Sequence, residues 1–245
     1  MGFRIKSARE RPDLAGYLLE LDRLWPAFYL GNPYRVSELS SMYPTLQMIV
    51  IDEDNDVIAG VRSIPIRWDG SEDSLPAGWD AAMEQARVKD PEANTLCAIS
   101  IIVRPDKRRG GVSKMALYGV QRAALDQGFT QLVAPVRPSM KERYPLTPID
   151  QYLEWRGDNG ERFDPWVRVH EETGARIARV APKSIEVTGT IKEWESWTGL
   201  TFPESGDYVV EGALEPVRID VTKGIGVYEE PNIWMIHDLR TGAQK

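Results

Sequence analysis

Apolar residues recur along the chain with two different periods, and their order predicts alternating strands and helices. Residues 3–7 predict a first strand. In the segment that follows, apolar residues return every three or four positions, which is the spacing of one helix face, until Pro26 ends the pattern. We expect this face to pack on a sheet. Its residues are Leu14, Tyr17, Leu18, Leu21, Leu24 and Trp25.

The next segments predict the centre of a sheet. Residues 46–51 and 57–68 read as two strands joined by a polar turn, which indicates an antiparallel hairpin. Residues 70–94 are acidic and polar with one short amphipathic helix, and we expect them to form an insertion over one edge of the sheet. Residues 95–103 are the most continuous apolar run, as expected of a strand buried on both faces.

A basic, glycine-containing turn follows that run and precedes a helix that Gly128 closes and a strand over residues 129–136. This order is a crossover unit with parallel strands. A turn between a buried strand and a helix gathers free N–H groups and the positive end of the helix dipole, which together bind anions. A solvated turn is the alternative. The candidate phosphate-binding residues are Arg108, Arg109, Gly110, Gly111, Val112 and Ser113.

Composition limits the remaining possibilities. The 245 residues and 42% apolar content suit a globular chain, and a net charge of −7 argues against nucleic acid or a membrane as partner. A single cysteine, Cys97, and two histidines leave little for a zinc site, so we expect no metal and expect Cys97 to pack. No stretch approaches the roughly 20 apolar residues of a membrane helix, and we expect a cytoplasmic protein.

The turn resembles the signature of the GNAT superfamily: Arg or Gln, two variable residues, Gly, one variable residue, then Gly or Ala. Arg108, Gly111 and Ser113 occupy the fixed positions, with Ser113 departing from the usual residue. Element order over residues 1–182 also matches. The resemblance implies an α/β GNAT fold, with splayed strands in a mixed central sheet flanked by helices. It also implies an acyl-CoA ligand whose pantetheine arm pairs with backbone groups of the strand carrying Ile101 and Val103.

Residues 183–245 are predicted to be a β-rich extension that completes the sheet, within a single domain over residues 1–245. Three tryptophans and several short apolar runs in this segment favour that interpretation. They give no indication of the acceptor.

The resemblance also suggests a catalytic residue. Most GNAT enzymes have a tyrosine, three residues, then glycine and an aromatic residue, and that tyrosine protonates the departing thiolate. Here His170 stands at the tyrosine position, followed by Gly174 and Ala175. A free imidazole titrates near ~6.5, so roughly a quarter of it is cationic at pH 7. We expect His170 to protonate a thiolate or to steady an enolate oxygen, with a surface or capping histidine as the alternative.

A longer pattern resembles the GNAT-type domains of polyketide synthase loading modules, which decarboxylate a malonyl-type thioester and pass the acyl group to a carrier-protein phosphopantetheine. The resemblance implies that Ser139 assists the histidine and that Trp25 lines the acyl pocket, although the helical spacing of Trp25 favours core packing. Arg137 is a candidate for binding a substrate carboxylate or for a structural ion pair. The pattern covers residues 136–139, 144–146, 152–155, 164–170, 174–175, 194, 197–199 and 230–235.

Three functions therefore remain open from the sequence. The first is an acyltransferase that moves an acetyl or other short acyl group from coenzyme A to an amine or thiol. The second is a malonyl-type decarboxylase with S-acyl transfer to an acyl carrier protein. The third is a CoA-binding module without catalysis. Glu229 and Glu230 are candidate bases that charged turns also explain, and we expect His237 to be structural.

Overall fold

The computed structural model describes residues 2–108 and 110–242, and Arg109 therefore lies outside the described residues. The strands in these residues are β1 (Arg4–Ser7), β2 (Met48–Ile51), β3 (Val57–Ile66), β4 (Thr95–Val103), β5 (Gln131–Val136), β6 (Ala175–Thr190), β7 (Gly206–Tyr208), β8 (Val217–Asp220) and β9 (Ile225–Asp238). The α-helices are α1 (Ala15–Asp22), α2 (Leu39–Met42), α3 (Trp79–Val88), α4 (Val112–Asp126), α5 (Ile149–Leu153), α6 (Pro165–Glu172), α7 (Ile191–Thr198) and α8 (Leu239–Gly242).

The described strands form one mixed sheet in the order β1-β2-β3-β4-β5-β9-β8-β7, and β6 pairs with β9. The predicted hairpin is confirmed, since β2 and β3 are antiparallel. Helix α1 is shorter than the segment over which apolar residues recur at helical spacing. Leu18 and Leu21 are buried against the sheet, but Leu24 is 46% exposed because α1 ends at Asp22 and the chain turns before Pro26. Within the described residues no helix has the length and apolar character needed to cross a membrane.

The expected insertion over one edge is wrong in its position. Helix α3 lies on a face of the sheet and contacts β3 and β6. Ala82, Met83 and Ala86 are buried in a cluster that includes Cys97 and Trp234. Three apolar residues at helical spacing need an apolar surface to cover, and the central strands provide one.

Strands β4 and β5 diverge in the middle of the sheet. Leu96 pairs with Leu132 and Cys97 with Val133, and no further β4–β5 pair follows in the described part of the chain. Beyond these pairs β4 continues to Val103 with β3 as its partner, while β5 continues with β9. The resulting gap has strand backbone on both sides, which confirms the expected splayed strands.

The C-terminal segment is continuous with the sheet. Strand β6 runs through residues 182–183, so the predicted boundary falls inside a strand. Strand β9 pairs with β5 near its end and with β8 near its start. The second half of β6, α7 and β8 enclose a separate apolar cluster in which Phe28 and Trp194 stack. Phe28 thereby ties the loop after α1 to this extension.

Candidate active site

The turn that follows β4 has the backbone that the sequence predicted for anion binding. Gly110 and Gly111 have φ values of +83° and +79°, and Gly111 is the N-cap of α4. A Cβ at either position would meet no atom within 4 Å, so the space in front of the turn is open. The N–H of Met115 donates to the Gly111 carbonyl at 3.0 Å. The three N–H groups before it have no acceptor within the helix and are available to a ligand.

The cations around this turn differ in their pairing. Arg108 is exposed and makes no hydrogen bond or ion pair with the described residues. It is therefore available to a phosphate. Three neighbouring cations are paired: Arg104 with Asp106, Lys107 with Asp52 and Lys114 with Glu172.

The other predicted cofactor residues contribute through their backbones. The side chains of Val103 and Val112 are buried in the main core and that of Ile101 packs against it. Ser113 is half-buried at the start of α4. Val103 and Val112 can therefore contact a ligand only through main-chain groups, whereas Ser113 also has its hydroxyl at the turn.

The β4 backbone is irregular where the gap opens. The register against β3 shifts at Ile99, which leaves one extra residue in β4, a β-bulge. The indole N–H of Trp79 donates to the Ile99 carbonyl at 3.0 Å. The hydroxyl of the next residue, Ser100, is buried and has no partner among the described residues. The bulge therefore combines one carbonyl held by Trp79 with one hydroxyl, that of Ser100, which has no partner among the described residues.

His170 lies near the C-terminal end of α6 and forms a pair with His237 of β9. Its Nδ1 is 3.0 Å from Nε2 of His237, and the two side chains are 1% and 2% exposed. Burial lowers the pKa of His170 well below 6.5, and the neighbouring His237 lowers it further. The imidazole is therefore neutral at pH 7. The cationic fraction that we expected for a free histidine is absent.

The structure does not bring Ser139 and His170 together. The Ser139 hydroxyl is 3.4 Å from Oδ1 of Asp164, which caps α6 by accepting from the N–H groups of Trp166 and Val167. Asp164 precedes His170 by six residues, about 9 Å along the helix axis. Ser139 is thus tied to the first turn of α6 and His170 to its last. Its role beside the histidine remains a prediction.

Arg137 and Trp25 are brought together at the open end of β5. The guanidinium carbon of Arg137 lies 5.7 Å above the Trp25 ring. Its Nε donates to the Tyr29 hydroxyl at 3.2 Å and to Glu230 at 3.1 Å, and a terminal nitrogen donates to the Gly212 carbonyl. Trp25 is half-buried and lies after the end of α1. Its helical spacing in the sequence, which favoured packing in the core, therefore did not predict its position.

Glu230 is the centre of this cluster and was only one of two candidate bases in the sequence. It has no exposed side-chain area and accepts from Tyr29, from Tyr228 at 2.8 Å and from Asn232 at 3.1 Å, besides Arg137. Four donors saturate the carboxylate. No pattern in the sequence places Tyr29 beside a residue 201 positions away. No group of three or more potential metal ligands occurs among the described residues.

Comparisons with known proteins agree with this architecture. No family model matches the chain. Arginine N-acetyltransferase avaD of Aspergillus versicolor is 26% identical over 276 positions, covering 97% of this chain and 94% of that protein. The loading GNATL domain of CurA from Lyngbya majuscula has a TM-score of 0.63 at 14% identity, covering 98% of this chain and all of that one. The GphF GNAT-like decarboxylase, solved with isobutyryl-CoA, has a TM-score of 0.60 at 20% identity, covering 97% and 100%.

The chain therefore has the GNAT fold, the architecture of the two solved domains. At 14% and 20% identity, the two solved structures show the fold of this chain and do not show its reaction or its substrates. The sequence relative, which aligns over nearly the whole of both chains, is an acetyltransferase by name.

Proposed function

We propose that this chain is an acyl-CoA-dependent acyltransferase that moves an acetyl or other short acyl group to an amine. The observation that carries the proposal is the gap between β4 and β5. The gap is open at the C-terminal end of β4, where the glycine turn before α4 begins. Coenzyme A would fit these features, because its pyrophosphate would bind the free N–H groups at the start of α4 and its extended pantetheine arm would lie along the free strand edges. Arg108, Gly110, Gly111, Ser113 and the first turn of α4 would hold its phosphates.

Catalysis then depends mainly on position and on hydrogen bonding. Backbone groups of β4 would hold the thioester carbonyl near the bulge at Ile99, and an amine held in place would attack it. We assign His170, neutral because it is buried, as the hydrogen-bond donor to the developing oxyanion or the departing sulfur, and this role rests on its place at the family's tyrosine position and not on a contact with β4. It is poorly suited to supply a proton outright.

Two features favour an amine acceptor over decarboxylation. Every nitrogen of the Arg137 guanidinium already has a partner, the third being Glu142 at 3.6 Å, so a substrate carboxylate would have to displace one. The second feature is the name of the Aspergillus relative, an arginine N-acetyltransferase, whose acceptor is a cationic amino acid.

The test is a measurement of thiol release from acetyl-CoA in the presence of amine acceptors. The panel contains L-arginine, agmatine and a polyamine, with product masses determined in each case. An acetylated amine formed in a protein-dependent reaction supports the proposal. No transfer to any amine would contradict the proposal, and tight CoA binding without acyl loss from acetyl-CoA or malonyl-CoA would favour the non-catalytic module.

Malonyl-type decarboxylation with S-acyl transfer is the second candidate. The fold likeness to a decarboxylase supports it, as does an N–H donor on His170 that would suit an enolate oxygen. A parallel assay with malonyl-CoA and a carrier protein decides between the two. Carbon dioxide release from malonyl-CoA, with acetyl appearing on a phosphopantetheinylated carrier protein, would establish this candidate and displace the first.

A further inference from the structure

His170 belongs to a chain of hydrogen bonds that ends on α4. Nδ1 of His170 lies 3.0 Å from Nε2 of His237, and Nδ1 of His237 lies 2.9 Å from Nε2 of Gln121. The same Gln121 nitrogen donates to the main-chain carbonyl of Thr173 at 3.1 Å. Three groups from α4, α6 and β9 are thereby connected to a backbone acceptor.

The carbonyl at the end of this chain fixes the direction of every bond in it. Because the Thr173 oxygen only accepts, the Gln121 amide must present its nitrogen there. The second hydrogen of that nitrogen then points to His237, whose Nδ1 accepts it. A neutral imidazole has one hydrogen, so His237 carries it on Nε2 and donates to Nδ1 of His170. His170 consequently carries its hydrogen on Nε2.

If the hydrogen bonds ran in the opposite direction, a donor would face a donor or an acceptor would face an acceptor. With hydrogen on Nδ1 of His237, two donors would face each other at 2.9 Å. Turning the Gln121 amide over would remove that conflict but would place its oxygen 3.1 Å from the Thr173 oxygen. Both side chains of the histidine pair are almost fully buried, so water cannot replace the hydrogen bond between the two rings.

We propose that Gln121 and His237 are positioning residues that hold His170 in the tautomer with its hydrogen on Nε2. This proposal rests on the proposed function only for its consequence, which is that the site presents an N–H donor and not a lone pair. The tautomer itself is independent of the reaction. A wrong tautomer removes a donor without moving any heavy atom, and such losses are large in other enzymes that depend on an oriented imidazole.

The chain contains only two histidines, which makes the tautomer directly measurable. Protein labelled with nitrogen-15 in histidine would show four ring nitrogens. We expect both Nδ1 atoms to be of the unprotonated, pyridine type and both Nε2 atoms to be of the protonated, pyrrole type at pH 7. Protonated Nδ1 on His170 would overturn the proposal.

Gln121→Glu is the variant that should reverse the direction of the hydrogen bonds. A carboxylate only accepts, so a neutral His237 must donate from Nδ1, and His170 must then donate from its own Nδ1. An imidazolium at His237 would be recognised by two pyrrole-type nitrogens on that ring and would leave the His170 tautomer unchanged. We expect both Nδ1 signals to become pyrrole-type and kcat for acyl transfer to fall about 100-fold, with KM for acyl-CoA unchanged. Gln121→Met removes the amide without imposing the opposite direction. It should lower kcat by less and leave a mixture of tautomers.

The two proposals fail in different ways. If wild-type signals show the expected tautomer and Gln121→Glu reverses it while kcat is unchanged, the hydrogen-bond chain stands but positioning for catalysis is excluded. If no acyl transfer is found for the wild type, the proposed function fails and the labelled spectrum still decides the tautomer. Should Gln121→Glu not fold, the wild type and Gln121→Met spectra decide it.

Discussion

Nε of Arg137 lies 3.1 Å from a carboxylate oxygen of Glu230, and this ion pair is largely buried. The side chain of Arg137 is 15% exposed and that of Glu230 is not exposed at all. The pair connects the residue after β5 to the middle of β9, where the two strands are no longer paired. It therefore supports the open end of β5 against the C-terminal extension.

Glu230→Gln should destabilise the protein strongly. It keeps the shape of the side chain but leaves the buried guanidinium without its main counter-charge, and breaking such a pair costs about 3 kcal/mol or more. Arg137→Met should cost a similar amount by leaving the carboxylate unpaired. Urea unfolding of both singles and the double variant measures the coupling. The double variant should lose less than the two single losses added together, and strict additivity would contradict the ion pair.

Gly111→Asp should abolish acyl-CoA binding while the protein stays folded. The new carboxylate would stand at the phosphate turn and repel the pyrophosphate, and φ of +79° adds strain of about 1–2 kcal/mol. Gly128→Asp is a matched control, since Gly128 has φ of +86° and open space for a Cβ at the other end of α4. Calorimetric titration with CoA should show binding for the control alone. Equal affinities would place the cofactor elsewhere.

The sequence predicted those parts of the fold that a local pattern determines. The run at residues 95–103 coincides with β4, and the helix after the glycine turn begins at Val112 as expected. The glycine turn before α4 was predictable because a strand, two glycines and a helix within twenty residues leave few ways to arrange the backbone. The end of α1 was less predictable, since Leu24 continues the apolar spacing after the helix has stopped.

The contacts around the candidate site were not predictable because they join distant segments. Tyr29 and Glu230 meet through the register of β9, which no local pattern encodes. His237 appeared structural in the sequence and His170 catalytic, yet the fold makes them one buried pair. Helix α3 had a recognisable apolar face, but only the sheet decided which surface it would cover.

Acidification should destabilise the histidine pair. Burial lowers the pKa of His237 from 6.5 to about 4, although the Thr173 carbonyl opposes the change. Between these values the unfolded chain binds more protons than the folded one, so stability is present above pH 6.5 and is lost as pH falls towards 4. The loss is roughly 3 kcal/mol. Urea unfolding across this range should show a shallower dependence for His170→Asn/His237→Asn, and parallel profiles would contradict the assignment.

Cys97 should take no part in the chemistry. It is fully buried in the sheet, and burial raises the pKa of its thiol. The thiol should resist alkylation in the native protein and react after unfolding, which mass spectrometry can follow. Cys97→Ala should retain wild-type kcat. An acylated Cys97 trapped during turnover would instead indicate a covalent intermediate.

Trp79→Phe should lower kcat without weakening CoA binding. The indole N–H holds the Ile99 carbonyl at the β4 bulge, the point at which the proposed thioester site lies. Phenylalanine keeps most of the ring but loses this hydrogen bond, which contributes about 1 kcal/mol, so kcat should fall about fivefold. Trp68→Phe is the matched control, because its indole donates to the Ser71 carbonyl at 2.7 Å, before α3 and apart from the bulge. A fall in kcat for both variants in proportion to their lost stability would mean that the bulge has no special role. A fall for Trp79→Phe alone, at unchanged Kd for CoA, would locate the acyl group at Ile99.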